Sequence, residues 1–157
     1  MNMKGIKEVR LKKRPFFSRP VYIDGKILAS QKHGLRGRPD MIFQKRLTGR
    51  LVVMEVKSGE VKDGPHYGDV MQLAAYFLII EESMGKRPRR GLLRYRNAMF
   101  VIKNSARRRK EVLEIAQAMR LMLETGQGEA RPSFVHCRYC IARDAVCEFA
   151  GSDTDSQ

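Results

Sequence analysis

Two carboxylates and a lysine stand at a spacing suited to holding a divalent cation beside a phosphodiester. Asp40 lies in Gly37-Arg38-Pro39-Asp40, and Glu55 and Lys57 lie in Leu51-Val52-Val53-Met54-Glu55-Val56-Lys57. Between the two runs, Arg46-Leu47-Thr48-Gly49 reads as a four-residue hairpin loop. That loop sets Lys45 opposite Arg50 and Asp40 opposite Glu55, on one face of the sheet, with Cβ atoms ~5 Å apart. Lys57, two residues further on, points to the same face. Two like charges that close call for a cation. Mg²⁺ suits the pair, because a couple of carboxylates, waters and phosphate oxygens complete its shell. Such an ion acidifies a bound water and neutralises a scissile phosphate. Lys57 would orient the attacking water or stabilise the developing charge. The structural alternative is a solvated Asp/Glu/Lys cluster on a strand. Against it, both faces of these strands are otherwise apolar (Met41, Ile42, Phe43, Val52, Val53, Met54), and charge within a buried sheet is rarely accidental.

The 157 residues fit one domain. With 31 basic against 17 acidic side chains, a net charge of +14 points to an anionic partner, nucleic acid by default. A membrane surface is the rival, but no run of about 18 apolar residues occurs, and the N-terminus lacks a signal-peptide pattern. The three cysteines, Cys137, Cys140 and Cys147, all fall in the C-terminal 21 residues. An odd, clustered set fits a cytoplasmic metal site better than a secreted disulfide scaffold.

Elements able to position these groups follow from turn and period signals. Val21-Tyr22-Ile23 and Ile27-Leu28-Ala29 flank Asp24-Gly25-Lys26 and read as a first hairpin. The strands bearing Asp40 and Glu55 come next, then a loop from Gly59 to Gly68. A helix is expected from Asp69 to Met84, ended by Gly85 with Pro88 beyond. Gly91–Tyr95 and Met99–Lys103 form another hairpin. Ser105 caps a last helix that ends at Gly126, with Val112, Ile115, Ala116, Met119, Met122 and Leu123 as its apolar stripe. The order predicts an α/β fold with a mixed central sheet and flanking helices. Its expected divisions are a core over 1–126, a cysteine segment over 127–150 and a disordered tail over 151–157.

Asp69, Gln72 and Tyr76 make a polar stripe on the first of these helices. Gln72 and Tyr76 could bond a phosphate, a base edge or Lys57, or simply be boundary residues of an amphipathic helix. Cys137-x-x-Cys140, followed after six intervening residues by Cys147, can converge on one metal. His136 would complete a zinc site by ligand count, although adjacent residues seldom both point at one ion. Arg107-Arg108-Arg109-Lys110 opens the last helix, where the macrodipole disfavours cations unless phosphates bind there. Arg87, Arg89, Arg90, Arg94 and Arg96 form a second basic zone.

Asp40, Glu55-Val56-Lys57 and Gln72-Leu73-Ala74-Ala75-Tyr76 together resemble the RecB-type branch of the PD-(D/E)XK nucleases. The stretch from Asp69 to Tyr76, Glu81-Glu82 and the terminal cysteines narrow the likeness to the CRISPR-associated Cas-four exonucleases, over roughly residues 21–147. That resemblance implies a restriction-endonuclease-like core with a cysteine-rich C-terminal metal-binding segment. It makes Asp40, Glu55 and the Val56 carbonyl ligands of Mg²⁺ or Mn²⁺, Lys57 the catalytic lysine, and Gln72 and Tyr76 supports of the site and its DNA. It also makes Cys137, Cys140 and Cys147 ligands of a four-iron, four-sulfur cluster. Only 39 residues precede Asp40, without a cysteine and with His33 as their one histidine. The family's N-terminal segment is therefore expected to be missing, the fourth cluster ligand is unassigned, and His33 is either a substitute metal ligand or a surface residue.

The expected activity is metal-dependent exonucleolytic cleavage of DNA that is single-stranded or has single-stranded ends. The place for it is CRISPR spacer acquisition, with the integrase complex as partner and no membrane. A non-catalytic DNA-holding subunit of such a complex, and a recombination or phage nuclease without a CRISPR role, are the rival readings.

Overall fold

The computed structural model describes residues 5–9, 18–23 and 25–127. The chain separates into two compact units, Met1–Gln117 and Ala118–Gln157. Of the second, the described part is the end of the last helix, closed by Gly126 at φ 67°.

Eight strands and two helices are described: β1 (Ile6–Val9), β2 (Ser18–Ile23), β3 (Leu28–Ser30), β4 (Leu35–Gly37), β5 (Met41–Lys45), β6 (Leu51–Val56), α1 (Tyr67–Met84), β7 (Arg90–Arg94), β8 (Met99–Lys103) and α2 (Ala106–Thr125). Six strands form one sheet in the order β1-β8-β7-β6-β5-β2, while β3 and β4 pair separately. The large sheet is mixed. β6 and β7 run parallel and every other pair is antiparallel. Parallel neighbours need a long crossover, and α1 lies within it. This is the mixed α/β architecture expected of a restriction-endonuclease-like core.

Helix α1 shows why its sequence is so apolar. It packs on β6 and β7 on one side and on β3 and β4 on the other. Phe77, Leu78, Ile79 and Ile80 are consecutive and all buried, as a helix covered on two sides requires. It starts at Tyr67, two residues before the expected Asp69, because the Val70 N–H already bonds the His66 carbonyl at 3.1 Å. Gly85 ends it in the left-handed region at φ 63°, as expected.

The helix comes closest to the sheet at Gly91. A Cβ there would sit 2.9 Å from both Leu73 Cδ2 and Val53 Cγ1 and 3.0 Å from Phe77 Cε1. All three neighbours are fully buried, and none has room to retreat. Gly91→Ala is therefore expected to destabilise the fold by about 1–3 kcal/mol through overpacking. The urea midpoint should fall with an unchanged slope, and an unchanged midpoint would show that the α1–sheet contact has slack.

The expected first hairpin is not formed. β2 pairs with β5, and β3 pairs with β4 in the other sheet. Pro20, which cannot donate to a ladder, sits at a register shift in edge strand β2. Ile23 and Ile27, read as a pair, are both exposed, while Leu28 packs against the α1-side core. Turn residues between two apolar triplets specified a change of direction, not a partner. The stripe on α2 is likewise buried only near its start, at Val112. Met119, Met122 and Leu123 are exposed. The cysteine segment and the tail lie outside the described residues.

Candidate active site

The β5–β6 hairpin has the expected register, with Met41 opposite Met54, Ile42 opposite Val53 and Gln44 opposite Leu51. The Lys45 N–H bonds the Arg50 carbonyl at 2.9 Å, closing the loop. Leu51 and Val53 enter the core under α1, whereas Val52 and Met54 enter the cluster on the opposite face. Strand alternation thus turns Glu55 toward α1.

Asp40 stands just before β5, and its Oδ2 accepts the Val56 N–H at 2.7 Å. Glu55 is buried. Its Oε1 accepts from Lys57 Nζ at 3.2 Å and from Gln72 Nε2 at 3.0 Å. Its Oε2 is buried with no hydrogen-bond partner among the described residues. Burial, then the neighbouring Asp40 charge, push the Glu55 carboxyl above its usual range, partly countered by Lys57.

Lys57 Nζ donates to Gln72 Oε1 at 2.6 Å and pairs with Glu55 at 3.2 Å and Asp69 Oδ1 at 3.3 Å. Burial pulls its pKa down, but the Glu55 bond and charge and then Asp69 outweigh that, and the net shift is upward. The ammonium is held charged. Gln72 also donates to the Tyr76 hydroxyl at 2.9 Å, and Tyr76 donates to the Arg38 carbonyl at 3.2 Å.

This last bond joins the two ends of the site, and Gly37 makes it possible. A Cβ at Gly37 would lie 2.8 Å from Tyr76 Cε1, so the ring needs a glycine beneath it. Glu82 of α1 fixes the β3–β4 turn above. It accepts from Ser30 Oγ and from the backbone N–H groups of Gln31 and Lys32 at 3.0 and 3.2 Å.

The structure therefore brings Glu55, Lys57, Gln72 and Tyr76 into one hydrogen-bonded network, with Asp40 tied to Val56. His33 sits in the β3–β4 turn, its backbone N–H on Ser30 Oγ at 3.3 Å and its ring near Glu82. Cys137, Cys140 and Cys147 lie outside the described residues. One participant escaped the sequence reading. The Tyr95 hydroxyl donates to Asp69 Oδ2 at 2.6 Å and accepts the His66 N–H at 3.2 Å, with its ring edge-on to His66 and Phe100. Burial and then the Asp69 bond raise the Tyr95 pKa, so it stays a donor. Its only advance signal was that a buried tyrosine needs a polar partner.

Among the described residues no three His, Cys, Asp or Glu side chains gather as a metal site. A carboxylate pair is nevertheless what Mg²⁺ or Mn²⁺ requires of a protein, waters and phosphate supplying the rest. The buried, unpartnered Glu55 Oε2 beside Asp40 fits such an ion, because a bare carboxylate oxygen out of water is costly without a cation.

The basic run opening α2 is largely occupied within the protein. Arg108 is buried and donates to the Lys103 carbonyl at 3.1 Å, Arg109 pairs with Glu81, and Lys110 pairs with Glu114 at 3.5 Å. In the second zone, Arg87 pairs with Glu81 at 4.0 Å and Arg96 with Glu60 at 3.0 Å.

Curated protein sequences give no match. One solved structure, described as "Crystal structure of SSO0001", is similar at a TM-score of 0.51 and 20% identity, over 83% of this chain. The chain spans 57% of the length of that protein, and the likeness is one of fold. A family model, the PD-(D/E)XK nuclease superfamily, matches residues 3–148. A match over nearly the whole sequence shows that the chain belongs to the PD-(D/E)XK nuclease superfamily.

Proposed function

We propose that the chain is a divalent-metal-dependent deoxyribonuclease that trims DNA from single-stranded ends, in the manner of the CRISPR-associated Cas-four exonucleases. The observation that carries the chemistry is the buried, unpartnered Glu55 Oε2 beside Asp40, with the Lys57 ammonium held at Glu55 Oε1. Asp40, Glu55 and the Val56 carbonyl would hold Mg²⁺ or Mn²⁺, which when bound supplies Lewis acidity at the scissile phosphate and the attacking water. Hydrolysis joins the oxygen of a water, which gives up a proton, to phosphorus and breaks the bond to the leaving sugar oxygen, which takes up a proton. Negative charge grows on the phosphoryl oxygens meanwhile. Lys57 lies ready to meet it, its ammonium fixed by three oxygens before substrate arrives. Gln72 sets the distance between Glu55 and Lys57 by bonding both, and Tyr76 anchors Gln72.

The CRISPR role, and the integrase complex as partner, rest on the resemblance over Asp69–Tyr76 and on the cysteines. The same resemblance, together with their spacing, makes Cys137, Cys140 and Cys147 ligands of an iron–sulfur cluster in a separate segment over 127–150. End-labelled single- and double-stranded DNA incubated with Mn²⁺ should shorten stepwise from single-stranded ends and stay intact in EDTA. Intact DNA with every divalent ion would leave a DNA-holding subunit instead. Anaerobically purified protein should carry iron and acid-labile sulfide. Stoichiometric zinc, or three free thiols, would end the cluster assignment.

A further inference from the structure

The end of the sheet away from Glu55 carries a second concentration of chemistry. Lys45 stands opposite Arg50, Val52 opposite Arg90, Arg90 opposite Lys103, and Lys7 opposite Val101. Period-two alternation puts all five cations on the face that bears Phe43, Val52, Met54 and Leu92, away from α1. With Arg89 they line a cleft of about 550 Å³ whose lining, among the described residues, includes no acidic side chain. None of the six makes an ion pair among the described residues, in contrast to Arg87, Arg96, Arg109 and Lys110. Lys7, Arg50, Arg89, Arg90 and Lys103 are exposed, and Val52 and Val101 help line the cleft beneath them.

Six like charges around one cleft repel one another, and physiological salt screens that only beyond about 8 Å. A fold that keeps acids out of such a place is suited to an extended anion. Breadth decides which kind. From β5 to β1 the cleft crosses four strand spacings, roughly 19 Å at about 4.8 Å each. That exceeds a single phosphate ion and matches several consecutive phosphates, at ~3.4 Å of rise per nucleotide in one strand.

We infer that this cleft binds the phosphate backbone of a nucleic-acid strand, as a second contact separate from the metal-binding end. The inference rests on the nuclease reading for its substrate, but not for its binding chemistry. Leu51 borders the cleft and Glu55 the candidate active site. Four residue steps along β6, roughly 13 Å, therefore separate them, and the strand cations of the cleft face away from the α1 side to which Glu55 turns. A strand of four nucleotides or fewer reaches only one of them, and longer DNA reaches both.

The test compares the intact chain with Arg50→Gln/Arg90→Gln/Lys103→Gln. In EDTA, binding of a 20-nucleotide single strand should weaken about tenfold. The plot of log K against log[salt] should lose roughly two units of slope, at ~0.7 per phosphate contact. With Mn²⁺, kcat on the 20-mer and kcat/KM on a tetranucleotide should not change. The charge-conserving Arg50→Lys/Arg90→Lys/Lys103→Arg should keep the slope, separating charge from folding, and Arg50→Gln alone should remove about 0.7 of it. Unchanged slope and affinity in the triple variant would overturn the inference. So would displacement of the 20-mer by inorganic phosphate or polyglutamate at equal charge concentration. If the wild-type chain cuts no DNA yet loses slope in the variant, the nuclease reading fails and the cleft stands. Cleavage with an unchanged slope means the reverse.

Discussion

Glu55→Gln, Asp40→Asn and Lys57→Ala are each expected to lower DNA cleavage by about a hundred- to a thousandfold, the scale of losing a group that acts mainly in the transition state. Metal binding separates them. With Mg²⁺ at ten times its dissociation constant, binding to the native state alone adds about 1.4 kcal/mol, a rise in Tm of roughly 3–6 °C for a domain of this size. Wild type and Lys57→Ala should show the rise, whereas Glu55→Gln and Asp40→Asn should not. Glu55 also gives the metal-free protein a pH dependence of known sign. Its folded pKa lies above the ordinary 4.5 because burial and Asp40 disfavour the charge. The native state therefore holds its proton more tightly than the unfolded chain, and stability is lost as pH rises from about 4.5 through the raised value. Mg²⁺ should restore it. Full cleavage by any one variant removes that residue from the mechanism, and a metal-dependent Tm rise in Glu55→Gln would remove Glu55 from the ligand set.

Asp69→Ala should cost about 10–100-fold in cleavage rate while leaving the Mg²⁺-dependent rise in Tm intact, since supporting contacts around a site act at that scale. Asp69 holds Lys57 Nζ at 3.3 Å from the side opposite the hairpin and is itself held by Tyr95 at 2.6 Å. Without it Lys57 keeps only Glu55 and Gln72 as partners, and its ammonium can drift. A misplacement of about 1 Å is enough for a hundredfold loss. The Tyr95 hydroxyl would lose its acceptor, adding about 1–3 kcal/mol of destabilisation. Tyr95→Phe should be milder in rate. The double variant should be more stable than the sum of the two singles, because the phenylalanine removes the stranded hydroxyl. Wild-type turnover in Asp69→Ala would show that Glu55 and Gln72 position Lys57 unaided.

What the sequence by itself determined was local. A four-residue loop between two strands settles the β5–β6 register, and strand alternation the common face of Glu55 and Lys57. Gly85 and Gly126 end the helices because few other residues tolerate φ near 65°. Gln72 and Tyr76 share a stripe because 3.6 residues make a turn. Tertiary structure decided whatever depends on partners distant in sequence. Nothing near Val21–Ile23 signals that its partner is β5 and not β3. Nothing near Tyr95 signals Asp69, and nothing near Gly37 signals the Tyr76 ring packed against it. The charge count of +14 named an anion but not a place. Glu81 and Glu114 take up two cations of the run at 107–110, while the β1–β8 and parallel β6–β7 pairings gather six scattered cations into one cleft. Local spacing is fixed by the covalent chain and its dihedrals, so it can be read directly. A long-range pairing is chosen by the burial it allows across the whole sheet, and no short window contains that sum.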